Sequence, residues 1–127
     1  MSTEYTLIDP AALMNAAGDD VDDFKELLAM FLRIVPGIVG QLEQAVREGS
    51  HAIVAQHAHS LKSCLSLVGA FACAAQLEAL ERGALRREDD CGAGFGGLRE
   101  ELDDVIAEAR ACHVATTQGT PAGQDKS

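Results

Sequence analysis

Hydrophobic residues recur at intervals of three and four along most of the chain, which is the pattern of amphipathic α-helices. The longest stripe follows a group of acidic residues that suit a helix N-terminus, and it stops at Gly49-Ser50, a helix end followed by a new cap. Pro36 should kink this helix or mark a first-turn restart, because proline removes one backbone hydrogen bond. The stripe consists of Phe24, Leu27, Leu28, Phe31, Leu32, Val35, Ile38, Val39, Leu42 and Val46.

Shorter apolar stripes predict helices on both sides of this segment. Asp9 and Pro10 suit the cap and the first position of a short helix that stops at Gly18. Beyond the long segment we expect helices over residues 51–68, from 71 to about 85, and from about 98 to 112. Their predicted buried residues are Val54, Ala58, Leu61, Leu65 and Val68, then Phe71, Ala74, Leu77 and either Leu80 or Ala84, then Leu98, Leu102, Val105, Ile106 and Ala109.

These elements predict an all-α protein, a four-helix up-down antiparallel bundle with an extra short N-terminal helix. No repeat or strand pattern interrupts them. We expect residues 1–112 to form one helical-bundle domain, with a mobile loop at "RREDDCGAGFGG". Residues 113–127, which end in the polar, aperiodic "TTQGTPAGQDKS", are expected to be a disordered C-terminal tail.

Composition and charge exclude several classes of function. With a net charge of −10 and a pI near 4.6, the 127-residue chain is not expected to bind nucleic acid or an anionic membrane. Its four cysteines form no CxxC pair, and no signal-like or membrane-length apolar run is present. We therefore expect a cytoplasmic monomer with reduced thiols.

The stretch "HAHSLKSCLSLVGA" places a histidine and a lysine one helical turn apart, on a face turned away from the apolar stripe. At 100° per residue, His59 and Lys62 share this face with small side chains, where a solvated face would normally carry better helix formers. We interpret the face as cleared for the close approach of another macromolecule. The residues of this predicted docking face, here called the small-residue face, are Ala55, Ser63, Ser66, Gly69 and Ala70.

The second histidine of the stretch fits a structural role better. His57 lies about 200° around the helix from His59, at the edge of the apolar stripe, where a packed histidine is expected. The same divergence argues against a zinc site, because helical zinc ligands are spaced three or four residues apart. We expect no metal ligands and no cofactor on this chain.

The motif "AHSLKSCLSLVGA", followed one helix later by "LEALE", resembles the signature of the histidine-containing phosphotransfer (HPt) domain family. The resemblance extends from about Leu7 to Ala111, because the helix order also agrees. It implies that His59 is the phospho-acceptor and that Lys62 is the cation beside it. Ser63 and Cys64 stand where the family most often has glycine and serine, but Ser63 is still small.

A carboxylate partner for His59 can be located by counting. If the turn between the third and fourth helices centres on Ala70, antiparallel packing sets residue 59 opposite Glu81 and Lys62 opposite Glu78. A carboxylate that accepts the Nδ1–H would leave Nε2 as the nucleophile. Alternatively, Glu81 is an ordinary solvated helix residue and Lys62 an ordinary surface lysine.

No nucleotide-binding loop or kinase signature is present, since "CGAGFGG" follows no strand. The resemblance therefore implies a phosphocarrier without kinase activity of its own. It would exchange phosphate with the receiver domains of hybrid sensor kinases and response regulators, which supply the aspartate and the Mg²⁺. The alternative is a binding module that docks to a kinase or receiver and regulates it without carrying phosphate.

Overall fold

The computed structural model describes residues 5–86, 92 and 95–117 and is all-α, as the sequence pattern predicts. Helices α2 to α5 form an antiparallel bundle in which the most extensive packing joins α3 to α4, and α2 packs against both α3 and α5. The short helix α1 packs against α2 and α3. Over the described residues the helices are α1 (Pro10–Ala16), α2 (Val21–Glu48), α3 (His51–Leu67), α4 (Phe71–Leu85) and α5 (Phe95–Thr117).

Local chemistry fixes where the first two helices begin and end. The Asp9 side chain accepts a hydrogen bond from the amide of Ala11, with Pro10 at the first helical position, and Asp20 caps α2 in the same way. Gly49 ends α2 in the left-handed conformation at φ +69°. Pro36 lies inside the single helix α2, so it marks no restart.

The core is built from the predicted apolar stripes, with one exception on α4. Phe71 is 58% exposed, contrary to the sequence-based prediction. The buried face of α4 centres on Leu77, and a residue six positions earlier lies about 120° away around the helix. The α4 residues that do enter the core are Cys73, Ala74, Leu77 and Ala84.

Helix α5 is longer at both ends than its apolar stripe predicts. It begins at Phe95, whose side chain is buried, so Gly96 and Gly97 belong to the helix rather than to a loop. It runs to Thr117, so residues 113–117 are helical and do not belong to the predicted tail. The rest of that tail (118–127), and residues 87–91, 93 and 94 of the predicted loop, lie outside the described residues. None of the helices in the described ranges is long and apolar enough to cross a membrane.

Backbone amides fasten the segment before α1 to the α3–α4 turn and to α5. The amide of Asp9 donates to the carbonyl of Val68, 2.8 Å away, in the turn between α3 and α4. Nearer the N-terminus, the carboxylate of Glu108 on α5 accepts hydrogen bonds from the amides of residues 6, 7 and 8. We call residues 6–9 the N-terminal strap. It covers the α3–α4 turn at Val68 and Gly69, and Gly69 and Ala70 are both buried.

Candidate functional site

The site is centred on the imidazole of His59, which α3 holds on its outer side. Its side chain is 60% exposed, whereas Leu61, on the opposite side of the helix, is fully buried. One turn later the hydroxyl of Ser63 donates to the carbonyl of His59, which keeps this small side chain against its own helix. A partner can therefore reach the imidazole without displacing a large side chain.

Helix α4 supplies a carboxylate to this imidazole. Oε2 of Glu81 lies 3.0 Å from Nδ1 of His59, and Oε1 of the same carboxylate accepts a hydrogen bond from Nζ of Lys62 at 3.2 Å. The Glu81 side chain is only 16% exposed, so the two neighbours share a largely covered anion. The structure thus brings together the histidine, the lysine and the glutamate that the sequence singled out. Glu78 does not meet Lys62 and instead pairs with Arg82.

The electrostatics of Glu81 follow from these contacts. Burial alone raises the pKa of its carboxyl, but the hydrogen bond and charge of Lys62, together with those of His59, outweigh burial and lower the pKa below its ordinary value. Glu81 is therefore an anion at neutral pH. An anionic acceptor beside Nδ1 favours the tautomer that carries the proton there and leaves the lone pair on Nε2 available.

A shallow groove runs along α3 and α4 beside His59. Among the residues that line it, Gln56, Ser60 and Leu85 were not singled out by the sequence pattern. Leu85 follows Glu81 by one helical turn and is 64% exposed. Its i, i+4 spacing from Glu81 was the feature of the sequence that could have placed it beside the site. The groove is lined by Ala52, Ala55, Gln56, His59, Ser60, Glu81 and Leu85.

The small-residue face is only partly exposed. Ser63 is exposed and Ser66 half-buried, but Gly69, which lies against Asp9 of the N-terminal strap, and Ala70 are both buried, and that part of the prediction is wrong. The helical extrapolation fails there because α3 ends at Leu67, and Gly69 turns the chain at φ +76°. Ala55 is also buried, at 6% exposure, since it faces α4, although it contributes to the floor of the groove.

The other polar side chains of the motif take no part in this site. His57 is half-buried, as expected for a residue at the edge of the apolar stripe. Burial raises the pKa of the Cys64 thiol, which disfavours the reactive thiolate. Within residues 5–86, 92 and 95–117, no group of three or more His, Cys, Asp or Glu side chains is arranged to hold a metal ion.

Comparison with known proteins agrees with this geometry. The family model of the Hpt domain matches residues 26–111. The fold is similar to the crystal structure of histidine-containing phosphotransfer protein B (HptB) from Pseudomonas aeruginosa PAO1, with a TM-score of 0.71, 21% identity, and coverage of 95% of this chain and 100% of that one. A search of curated protein sequences gave no match. Because the family model spans more than half of the chain, the resemblance seen in the motif is confirmed, and the chain belongs to the Hpt domain family, whose members are phosphocarriers of two-component signalling.

Proposed function

We propose that this protein carries a phosphoryl group on His59 between the aspartates of receiver domains, one in a hybrid sensor kinase and one in a response regulator. The observation that carries the proposal is an imidazole 60% exposed to solvent whose Nδ1 lies 3.0 Å from the carboxylate of Glu81. This arrangement orients the ring and presents Nε2, the nucleophilic nitrogen, to a partner.

In the loading step, the Nε2 lone pair attacks the phosphorus of a receiver's aspartyl phosphate. The Nε2–P bond forms, the O–P bond breaks, and its electron pair returns to the aspartate carboxylate. Glu81 acts as the positioning residue, because its oxygen holds the Nδ1 proton and keeps the ring from rotating. The reverse sequence loads the next receiver.

Lys62 is proposed to stabilise the phosphoryl group on the product and in the transition state. Phosphorylation adds nearly two negative charges to a chain that already carries −10. A cation one helical turn from His59 therefore reduces the electrostatic repulsion that the phosphoryl group meets. Before phosphorylation the ammonium binds Oε1 of Glu81. Its other N–H donors remain available for phosphate oxygens, since a lysine ammonium has three.

Two residues of the small-residue face, the exposed Ser63 and the half-buried Ser66, are proposed to contact the receiver together with the groove above Ala55. The receiver would bring the aspartate and its Mg²⁺, and this chain would need no cofactor of its own. We propose that the protein acts as a cytoplasmic monomer.

The test is transfer from labelled phospho-receivers or hybrid kinases of the same organism. We expect an acid-labile, alkali-stable label on the wild-type protein and none on the His59→Gln variant. His57→Gln is the matched control, because it removes the half-buried neighbouring imidazole, and it should retain most of the label. Label that survives His59→Gln would refute the assignment of the acceptor. Tight receiver binding with no label on the wild type would support the regulatory binding module instead.

A further inference from the structure

The carboxylate of Glu81 does more than orient a ring, because it places a full negative charge beside the position where a phosphorylated imidazole carries its proton. Oε2 lies 3.0 Å from Nδ1, and Oε1 is already bound to Lys62. A neutral amide in the same place could also accept a hydrogen bond, so the positioning role alone does not require a charge. The consequence of the charge follows from counting protons in the transfer step.

If the unphosphorylated ring carries its proton on Nδ1, attack by Nε2 produces a phosphoimidazolium, a cationic ring that still holds the Nδ1 proton. When the phosphoryl group leaves for an aspartate, the Nε2–P electron pair returns to Nε2 and the ring becomes neutral again. No proton has to move in either direction. A ring that loses the Nδ1 proton while phosphorylated becomes a poor donor, because its leaving group would be an imidazolate anion.

Glu81 favours the protonated donor form by two routes. Its negative charge stabilises the cationic ring at hydrogen-bond distance, and both of its oxygens are acceptors, so it cannot donate to an unprotonated Nδ1. An amide in its place would carry no charge. It could also turn its NH₂ group to Nδ1 and thereby stabilise the deprotonated ring.

The charged groups around the imidazole identify Glu81 as the anion in contact with it. On α3 the near cation is Lys62, which is itself bound to Glu81. On α4 the neighbouring pair Glu78 and Arg82 compensate each other. Elsewhere in the bundle Glu43 of α2 is compensated by Arg47 and by Arg99 of α5. Of the residues that line the groove beside His59, Glu81 is the one with a carboxylate.

We propose that Glu81 keeps phosphorylated His59 protonated at Nδ1, and so makes it a labile donor that passes its phosphoryl group on rather than a stable store. The proposal rests on His59 being the phospho-acceptor. It assigns to Glu81 control over the lability of the phosphohistidine, beyond the positioning of the ring.

The experiment follows the loss of phosphate from the purified full chain after phosphorylation with phosphoramidate, a small donor that needs no partner protein. Hydrolysis rates are measured by ³¹P NMR between about pH 5 and pH 9, and ¹⁵N NMR of the imidazole reports the Nδ1 proton directly. The variants are Glu81→Gln, which removes the charge, and Glu81→Asp, which keeps it. Glu78→Gln is the matched control, since it removes one carboxylate from the same helix without touching His59.

We expect the midpoint at which hydrolysis slows to move down by about one pH unit in Glu81→Gln, so that its phosphohistidine lives up to about tenfold longer above that midpoint. At the acid end of the range the rates of wild type and variant should converge, because both rings are protonated there. Glu81→Asp and Glu78→Gln should keep the wild-type midpoint within about 0.3 pH unit.

An unchanged midpoint in Glu81→Gln would overturn the proposal, and so would an equal shift in Glu78→Gln, which would mean that total charge rather than this contact sets the rate. Failure of the proposed function gives a different result. In that case phospho-receivers and hybrid kinases of the same organism would transfer no label to His59 of the wild-type protein, whatever phosphoramidate does.

Discussion

Replacing Gly69 by alanine tests how the N-terminal strap is held against the turn between α3 and α4. Two effects are expected at this position. At φ +76° any side chain is strained, and a Cβ built on Gly69 would lie 2.5 Å from Cβ and 2.9 Å from the amide nitrogen of Asp9. Gly49 has almost the same backbone conformation, at φ +69°, but an added Cβ there meets nothing within 4 Å. Gly49→Ala is therefore a matched control that carries the backbone strain alone.

The expected magnitudes follow from the backbone strain and from the hydrogen bonds that the new methyl group disturbs. The left-handed conformation costs alanine about 1 kcal/mol at either position. At position 69 the methyl group must also push Asp9 away. This displacement breaks the hydrogen bond from the Asp9 amide to Val68 and weakens the Asp9 cap on α1, which together destabilise the fold by about 2 kcal/mol more. Gly69→Ala should thus lower the free energy of unfolding by about 3 kcal/mol, against about 1 kcal/mol for Gly49→Ala.

Urea denaturation followed by far-ultraviolet circular dichroism measures this difference. With a slope of about 2 kcal/mol per molar urea, the Gly69→Ala midpoint should lie roughly 1 M below that of Gly49→Ala. Equal midpoints for the two variants would refute the reasoning. They would show that Asp9 can move away from residue 69 without loss of stability, so that the contact between Gly69 and Asp9 does not stabilise the fold.

Three further predictions concern the site and the strap. Lys62→Ala should slow phosphoryl gain and loss about five- to thirtyfold in single-turnover kinetics and should still bind the receiver, because the variant loses a hydrogen bond of about 1–2 kcal/mol. Unchanged kinetics would show that this half-buried lysine has no role in transfer. Ser63→Arg should block transfer while shifting stability by only about 0.5 kcal/mol, whereas Ala107→Arg, at another exposed position, on α5, should transfer normally. Burial raises the pKa of Glu108, but the hydrogen bonds that it accepts from the strap outweigh burial and lower the pKa. Its carboxylate therefore stabilises the fold at pH values above its ordinary pKa of 4.5, and this stabilisation is lost as the pH falls from there through the lowered pKa. The stability lost in Glu108→Gln should therefore be largest near pH 7 and should shrink below about pH 4.5 in urea titrations; a loss independent of pH would contradict it.

The contact between His59 and Glu81 could be found from the sequence because two antiparallel helices joined by a short turn advance at the same rise per residue. Counting outward from Ala70 therefore keeps the register over eleven residues on each side. The same rule set Lys62 opposite Glu78, but the lysine side chain is long enough to reach the next turn, and it binds Glu81 instead. Register gives the neighbourhood of a side chain, whereas its partner depends on side-chain length and on competing charges.

Positions next to helix ends were the ones that sequence periodicity missed. Gly69 and Ala70 were extrapolated along a helix that stops at Leu67, and the strap that covers Gly69 comes from residues about 60 positions earlier in the chain. Phe95 starts α5 ahead of two glycines, because its burial outweighs their poor helix propensity. Such outcomes depend on tertiary contacts that no local window contains.

The Glu108 carboxylate accepts hydrogen bonds from amides about 100 residues earlier in the chain. These hydrogen bonds close nearly the whole described polypeptide into a ring. Forming that closure fixes a loop of about 100 residues, so we expect it to add to the barrier for refolding more than the local α3–α4 pairing does. It also sets the two ends of the bundle near each other. Helix α5 runs only nine residues past Glu108, about 14 Å, so a short flexible linker could join its end to the strap. The fold should therefore tolerate circular permutation, with new termini opened at the exposed Gly49.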